Sequence, residues 1–265
     1  GEDLMSVLSL QALLHIARAG LSAQETGIDV IANNISNLNT VGYRQSRAEF
    51  QELLSRQLQA PQSPNNRVSG QAEGTFLVAT QRMFGQGQIV ASDMPWNMAI
   101  EGEGFFQVQR PDGSLAYTRN GDFRLDAMGR LINPEGYLLA PTITLPPDTE
   151  EHYITPDGVI MVRRRGETQP RALATMSLAR FNNPSGLESI GDNLFVATPA
   201  SGDPQLGQPR TNGLGQIIGR ALEASNVDLA EQMTELITGQ RAYALMARAL
   251  NTADEMLNLA NQLRA

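Results

Sequence analysis

Two glutamates on either side of Gly102 are the side chains best suited to acid–base chemistry. Glu101 and Glu103 could act as paired carboxylates in a hydrolase, where one acid is protonated and the other is ionised. They alternate along a predicted strand, so both are expected to face solvent on one side. Nothing in the neighbouring sequence would raise the pKa of either group. We therefore expect surface acids and no catalytic residue.

The two histidines, His15 and His152, have no second metal-ligating residue at a suitable spacing. His15 falls within a helical pattern and is interpreted as a tolerated residue on a helix face. His152 follows two glutamates in a turn-rich stretch and is interpreted as a plain surface residue. Because His-Glu-x-x-His and Gly-x-Ser-x-Gly motifs are both absent, we expect no metal site, no cofactor and no enzymatic activity.

Two further segments resemble ligand-binding motifs only in part. The run from Gly213 to Gly219 is similar to a dinucleotide-binding loop, but its last glycine comes one residue late. It is interpreted as a turn into the C-terminal helix. The basic run Arg163–Arg165 is interpreted as a solvated hairpin end, because a phosphate-binding patch is not expected in an acidic chain.

A polar cluster follows the first helical pattern. Asparagine tolerates the left-handed backbone conformation and caps backbone groups, so the cluster predicts a helix C-terminus, with Gly42 allowing a sharp turn and Tyr43 anchoring the exit. A compatible, sharper hypothesis is a hydrogen-bonding zone between subunits. The members of the cluster are Asn33, Asn34, Ser36, Asn37, Asn39, Thr40, Gly42, Tyr43 and Arg44.

The composition excludes several classes of protein. The chain has 265 residues and a formal net charge of −8, which argues against a nucleic-acid-binding protein. It has no cysteine, so a disulfide framework, a thiolate metal site and a cysteine nucleophile are all excluded. No apolar stretch approaches the ~20 residues that a membrane span needs, so we expect no membrane insertion. The first residues do not resemble a signal peptide, and we expect no cleaved secretory signal.

Both ends of the chain carry apolar residues at helical spacing, over residues 5–35 and 226–264. Ser225 or Asn226 is the predicted N-cap of the second helix. A helix of that length would extend about 58 Å, so we expect it to pair with the N-terminal helix as a coiled coil. The stripe positions are Leu14, Leu21, Ile28 and Ile31 in the first helix, and Leu229, Met233, Leu236, Tyr243, Leu250 and Leu257 in the second.

The middle of the chain, roughly residues 65–221, has the pattern of β structure. Short apolar runs alternate with turn residues that tolerate positive φ, which predicts a series of hairpins. The turn signals are Asp112-Gly113, Asn120-Gly121, Pro134-Glu135-Gly136 and Asp157-Gly158.

These patterns predict an α+β fold, with long terminal helices pairing as a coiled coil and a central, mainly antiparallel β domain. The predicted parts are an N-terminal helix and turn (1–46), a connector (47–74), the β domain (75–221) and the C-terminal helix (222–265). One helix pair would leave apolar stripes partly in water, where burial of each leucine is worth about 1.5–3 kcal/mol. We therefore expect further copies or related subunits to cover the rest.

Motifs along the whole chain resemble those of the bacterial flagellar basal-body rod and hook family. The matching segments are residues 20–24, 28–44, 98–106, 111–113, 117–121, 223–228 and 240–243. Ser185–Gly191 is most similar to the distal-rod members of that family. The resemblance runs nearly from end to end and keeps the order of the motifs.

The resemblance implies a structural role in the flagellar basal body. Members are exported through the flagellar type III channel, and they stack helically into a hollow drive shaft that transmits motor torque to the hook. The implied partners are copies of the chain, proximal-rod and hook proteins, the surrounding ring proteins and the export apparatus. The implied assembly residues are the helix stripes and, in the turn, Asn33, Asn34, Asn37, Thr40, Gly42 and Tyr43.

Three alternatives remain open. The first is a proximal-rod or hook-type paralogue. The second is a β-rich adhesin or binding module with a coiled-coil stalk, which would need a signal peptide and an aromatic platform, although Trp96 is the only tryptophan. The third is an enzyme with an unrecognised site, which would need a cluster of acids or histidines in a pocket.

Overall fold

The computed structural model describes residues 2–52 and 75–262, and within these ranges the side chains of 2–16, 50–52, 75–79, 257, 258, 260 and 261 lie outside the description. The chain divides into two compact units, which are described separately. The helical unit comprises residues 1–35, 46–81 and 228–265. The β unit comprises residues 36–45 and 82–227.

The helical unit contains two long helices, α1 (Glu2–Ser36) and α2 (Leu229–Gln262). Its two strands, β1 (Ser46–Glu52) and β2 (Thr75–Arg82), pair with each other, and β2 ends one residue inside the β unit. The predicted connector at 47–74 lies outside the described residues from 53 onwards, and its first residues belong to β1. Neither helix, within its described residues, is long and apolar enough to cross a membrane.

Asp228 forms the N-cap of α2. Its Oδ1 accepts hydrogen bonds from the backbone N–H groups of Ala230 at 2.8 Å and Glu231 at 3.1 Å, which satisfies two donors that the first helical turn leaves unpaired. The prediction of Ser225 or Asn226 as the N-cap was therefore wrong.

A seven-stranded sheet forms the centre of the β unit, and its described pairings are antiparallel. In order across the sheet its strands are β14 (Glu188–Gly191), β15 (Leu194–Val196), β6 (Leu115–Thr118), β5 (Phe106–Gln109), β9 (Leu138–Ala140), β8 (Leu131–Ile132) and β7 (Arg124–Leu125).

Smaller antiparallel sheets surround this one, which confirms the predicted α+β class with an antiparallel β domain. A three-stranded sheet consists of β10 (Thr149–Ile154), β11 (Val159–Arg164) and β12 (Arg171–Thr175). The strand pairs are β3 (Ile89–Ala91) with β18 (Ala221–Glu223), β4 (Met98–Glu101) with β17 (Gln216–Gly219), and β13 (Leu178–Arg180) with β16 (Gln205–Gly207).

Three of the four turn signals form the predicted hairpins. They connect β5 to β6, β8 to β9 and β10 to β11. Asn120-Gly121 was wrongly predicted as a hairpin turn, because β6 and β7 on either side of it do not pair. Gly121 instead permits a close approach: an added Cβ would lie 1.5 Å from the Met98 carbonyl oxygen.

Two apolar clusters make up the core of the β unit. The larger cluster lies around fully buried residues such as Met98, Ile100, Phe106 and Leu131. The smaller one is aromatic and includes Phe105, Tyr117, Phe181 and Phe195. The aromatic cluster lies where the central sheet meets β13, and its rings bury large apolar areas there.

Candidate functional site

The polar cluster forms the turn that follows α1. The backbone N–H of Thr40 donates to the Asn37 carbonyl at 3.1 Å, and the Thr40 hydroxyl donates to Asn37 Oδ1 at 3.2 Å. Gly42 has a φ of 68°, and Tyr43 is buried. The predicted helix C-terminus, with a left-handed glycine and an anchoring tyrosine, is confirmed.

Gly42 sits against backbone from elsewhere in the β unit. A Cβ at this position would lie 2.6 Å from the backbone nitrogen of Asn120, a distance that real Cβ atoms do not show. The Gly42 N–H donates to the backbone carbonyl of Glu223 at 2.8 Å. Glycine is therefore required here both for its positive φ and for the space it leaves.

Arg44, at the end of the turn, is completely buried and forms an ion pair with Glu223 on β18. Arg44 Nη2 lies 2.7 Å from Glu223 Oε1, and neither side chain is exposed. The Gly87 N–H donates to the same carboxylate oxygen at 2.8 Å. Arg119 Nε lies 3.3 Å from the other oxygen, Oε2. We call Arg44, Arg119 and Glu223 the buried charge cluster.

Arg119 is held in the cluster by backbone carbonyls as well as by charge. Its Nη1 donates to the Gly104 carbonyl at 2.9 Å and its Nη2 to the Gly102 carbonyl at 2.8 Å. Burial lowers the pKa of Arg119 to about 10. The carboxylate of Glu223 acts in the opposite direction and raises this pKa, whereas the positive charge of Arg44 lowers it further. Because that pKa remains well above neutral pH, the cluster holds two guanidinium charges against one carboxylate.

Asn226 ties together the chain segments at the edge of the β unit. Its Oδ1 accepts from the backbone N–H of Gln45 at 2.7 Å, and its Nδ2 donates to the carbonyls of Met83 at 2.8 Å and Gly85 at 2.9 Å. The sequence marked Asn226 as a helix cap, whereas the side chain fastens the turn after α1 to the backbone that follows β2.

In the helical unit, Asn34 joins α1 to both α2 and β1. The buried Asn34 Nδ2 donates to Gln232 Oε1 at 2.9 Å and to the Ser46 carbonyl at 2.8 Å. Its Oδ1 accepts from the Ser46 N–H at 2.9 Å. The amide thus bonds to both α2 and β1, so the side chain fixes where the three elements meet.

The described stripe residues of the first helix, Leu21, Ile28 and Ile31, are all half-buried. Asn33, near the end of the same helix, is exposed. The side chain of Leu14 lies outside the described residues.

The stripe of α2 divides into two sets. Leu236 and Tyr243 are half-buried and Leu250 is buried, whereas Leu229 is 43% and Met233 50% exposed. The side chain of Leu257 lies outside the described residues. The α2 stripe predicted as a single face therefore has a covered part and an open part.

The acids flanking Gly102 form surface contacts. Glu101 accepts a hydrogen bond from Gln216, and Glu103 Oε2 lies 2.7 Å from Arg180 Nε. Both glutamates are exposed, as expected. In the described part of the chain no group of three or more histidines and acids could hold a metal ion.

His152 is not the plain surface residue that was predicted. Its ring stacks on Trp96, with centroids 3.8 Å apart and planes inclined by 5°. Burial lowers the pKa of His152. A hydrogen bond to the backbone of Pro95 partly offsets this decrease, and the positive charge of Arg220 lowers the pKa further. The nearby Trp96 was noted only as a lone tryptophan, because its stacking partner lies in a distant strand.

Of two other motifs, the glycine run departs from its prediction and the basic run agrees with it. The glycine run enters strand β17 and not the C-terminal helix, which begins only at Leu229. In the basic run, Arg163 pairs with Glu150 at 3.2 Å and Glu151 at 3.1 Å across the β10–β11 hairpin. This pairing agrees with the interpretation of a solvated hairpin end.

Comparison with known proteins points to one family along three parts of the chain. Residues 14–44 match the family model "Flagella basal body rod protein". Residues 99–162 match "Flagellar hook protein FlgE/F/G D1 domain", and residues 219–263 match "Flagellar basal body rod FlgEFG protein C-terminal".

Curated relatives agree over nearly the full length. The chain is 41% identical to the flagellar basal-body rod protein FlgG of Buchnera aphidicola, over 94% of this chain and 98% of that protein. It is 38% identical to FlgG of Caulobacter vibrioides, over 95% and 99%. It is 39% identical to FlgG of Borreliella burgdorferi, over 95% and 98%. The chain therefore belongs to the flagellar basal-body rod family and is a distal-rod structural subunit of the flagellar basal body.

Proposed function

We propose that the chain polymerises helically, with copies of itself and with other axial flagellar proteins, into a hollow shaft that transmits motor torque to the hook. One observation carries this proposal: α2 leaves large apolar side chains in solvent in the single chain. Leu229, Met233 and Ile237, each four residues apart, are 43%, 50% and 48% exposed. Residues at this spacing share one side of a helix, so they form a continuous apolar surface.

The free energy of burying that surface is available only through a neighbour. Fully burying a leucine, methionine or isoleucine is worth about 1.5–3 kcal/mol, and these three are about half exposed. Leu245 and Leu259, further along α2, are also exposed, at 65% and 59%. Large contiguous apolar patches on soluble proteins typically mark sites of protein–protein association.

We further propose that α1 and α2 pair as a coiled coil. Gly239 supports this pairing, because an added Cβ would lie 2.9 Å from Gln24 Nε2 and 3.3 Å from Ile28 Cγ1. A Cβ on Gly20 would lie 3.9 Å from Met246 Sδ. Glycines at such positions let helix backbones approach closely, and Asn34 and Gln232 fix the register of the two helices.

The proposed assembly residues are the two helix stripes and the turn after α1. The proposed domains are a helical core domain, to which both ends of the chain contribute, and a central β domain. Proximal-rod and hook proteins are the proposed axial neighbours, and the surrounding ring proteins and the flagellar type III export apparatus are the other proposed partners. For the rings and the export apparatus the support is family membership alone.

The test compares two charged variants of α2. Ile237→Glu places a carboxylate on the open apolar surface, whereas Thr238→Glu adds the same charge on an exposed, polar side chain about 100° further around the helix. Both positions are exposed, so both chains should fold with the circular dichroism of the parent chain. We expect Ile237→Glu to block incorporation into isolated basal bodies and Thr238→Glu to be incorporated. Normal incorporation of Ile237→Glu would contradict the proposal.

A further inference from the structure

The β unit carries an open cleft with an aromatic wall. It has a volume of about 340 Å³ and is lined by Phe84, Phe105, Phe181 and Pro184 among other residues. Phe105 packs edge-to-face on Phe84 at 5.6 Å and on Phe181 at 5.8 Å between ring centroids. Polar and charged residues also line it, namely Gln86, Glu103, Arg119 and Arg180. The cleft is therefore suited to an apolar side chain that has a charged neighbour.

The positively charged side chain of Arg180 also lines this cleft and has a nitrogen that can donate a further hydrogen bond. Arg180 is 39% exposed; its Nε lies 2.7 Å from Glu103 Oε2, and its Nη1 donates to the Asn212 carbonyl at 3.2 Å. Among the described contacts its Nη2 has no acceptor. An incoming carboxylate can accept from that nitrogen while an apolar neighbour enters the cleft.

One exposed turn of the same unit presents this combination of side chains. Asp93 is exposed and has no ion pair among the described residues, and the adjacent Met94 is 63% exposed. The turn is firmly held: Asn97 Nδ2 donates to the Ser92 hydroxyl at 2.8 Å, and the Ser92 N–H donates to the Arg220 carbonyl at 2.8 Å. A methionine fits an aromatic site well, because its sulfur makes favourable contacts with ring edges.

The turn and the cleft lie at opposite ends of strand β4. Met94 comes four residues before Met98, the first residue of β4, and the cleft residues Gly102–Phe105 follow its last residue, Glu101. The turn and the cleft are therefore different surfaces of the subunit, and a contact between them is heterologous. Repeated, such a contact produces a ring where the rotation closes and an open-ended filament where it does not.

We propose that the Asp93–Met94 turn of one copy docks into the aromatic cleft of the next copy, with Met94 against the phenylalanines and the Asp93 carboxylate on Arg180. The inference rests on the proposed polymerisation and identifies one of its contact surfaces. It makes the β unit, as well as the helices, a source of subunit contacts.

Disulfide cross-linking tests this contact directly, since the chain contains no cysteine. The test chain carries Met94→Cys with Pro184→Cys, and the matched control carries Met128→Cys with Pro184→Cys. Met128 is 70% exposed, so the control places an equally accessible thiol on a different turn. Basal bodies isolated from cells making each chain are treated with copper phenanthroline and separated on non-reducing gels. If Pro184→Cys is not incorporated, Gln86→Cys, in the same cleft, replaces it.

The proposal predicts a ladder of cross-linked multimers from the Met94 pair, at least about tenfold more intense than that of the control, because only thiols held close together form disulfides. A chain present in basal bodies with no ladder, or with equal ladders from both pairs, would overturn this contact while leaving polymerisation intact. Absence of even the parent chain from basal bodies would overturn the polymerisation proposal, and this contact with it.

Discussion

Arg44 and Glu223 form a fully buried ion pair, with Arg44 Nη2 2.7 Å from Glu223 Oε1, although 179 positions separate them in the sequence. The pair joins the chain just after α1 to the chain just before α2. Arg119 approaches the same carboxylate, so Glu223 compensates two guanidinium groups. A single buried acid, Glu223, therefore holds together the first and last segments of the β unit.

Replacing Glu223 with glutamine should destabilise the β unit severely. The substitution keeps the size of the side chain but leaves Arg44 and Arg119 buried without a counter-charge. Removing one partner of a buried pair costs about 3–5 kcal/mol. Urea unfolding followed by tryptophan fluorescence measures the effect, because the single tryptophan, Trp96, belongs to the core of this unit.

Asp157→Asn is the control for that measurement. Asp157 pairs with Arg210 at 3.3 Å, with side chains 62% and 56% exposed. Exposed pairs contribute only about 0–1 kcal/mol, so the unfolding midpoint should barely move. Equal effects of the two substitutions would show that the buried cluster has no special role.

Gly42→Ala should cost more than an ordinary glycine substitution at positive φ. A left-handed alanine costs about 1–2 kcal/mol by itself, and here its Cβ would also meet the Asn120 nitrogen at 2.6 Å. Gly113→Ala is the matched control, since Gly113 has a φ of 82° with nothing within 4 Å of an added Cβ. We expect Gly42→Ala to have a clearly lower melting temperature than Gly113→Ala. Similar melting temperatures would contradict the close approach of Gly42 to Asn120.

Asn34 and Gln232 should be energetically coupled across the two helices. Asn34→Ala removes a buried amide that hydrogen-bonds to Ser46 and Gln232, and we expect the free energy of unfolding to fall by about 1–3 kcal/mol. A double-mutant cycle with Gln232→Ala measures the shared part, expected at about 0.5–3 kcal/mol. Strict additivity of the two substitutions, read from helical circular dichroism during urea unfolding, would argue against the contact.

His152 should make the β unit less stable in mild acid. Because burial holds its folded pKa below the ordinary value of 6.5, the unfolded chain binds the proton first. The contribution of neutral His152 to the free energy of unfolding is therefore fully present above about pH 6.5, and it is lost as the pH falls towards the lowered pKa of the folded state. His152→Phe keeps an aromatic ring on Trp96 and removes the titrating group. The difference in urea midpoint between parent and variant should grow from pH 7.5 to pH 5; a constant difference would contradict this role.

The sequence predicts local structure well where a short-range pattern determines it. The helix periodicity places α1 and α2 within a few residues, because the amphipathic pattern persists for many turns. Asp112-Gly113 and Asp157-Gly158 determine hairpins, because each turn needs a residue of positive φ, which Gly113 supplies at 82° and Gly158 at 77°. The turn at Gly42 is predicted for the same reason.

The buried charge cluster could not be predicted, because it joins segments far apart in the chain. Arg119 and Glu223 appear in the sequence as ordinary charged residues within family motifs, and nothing local marks them as buried. His152 was misjudged for the same reason: two preceding glutamates suggest solvent, whereas its ring packs on a tryptophan 56 positions earlier. Tertiary packing, and not local polarity, decides the environment of such residues.

Electron cryomicroscopy of isolated basal bodies that contain this chain would show directly whether its helices build the shaft. We expect a tube whose wall is built from paired α1 and α2 helices, with Leu229, Met233 and Ile237 buried against helices of neighbouring copies. A tube in which these three side chains face solvent, or a rod that forms without this chain, would contradict it.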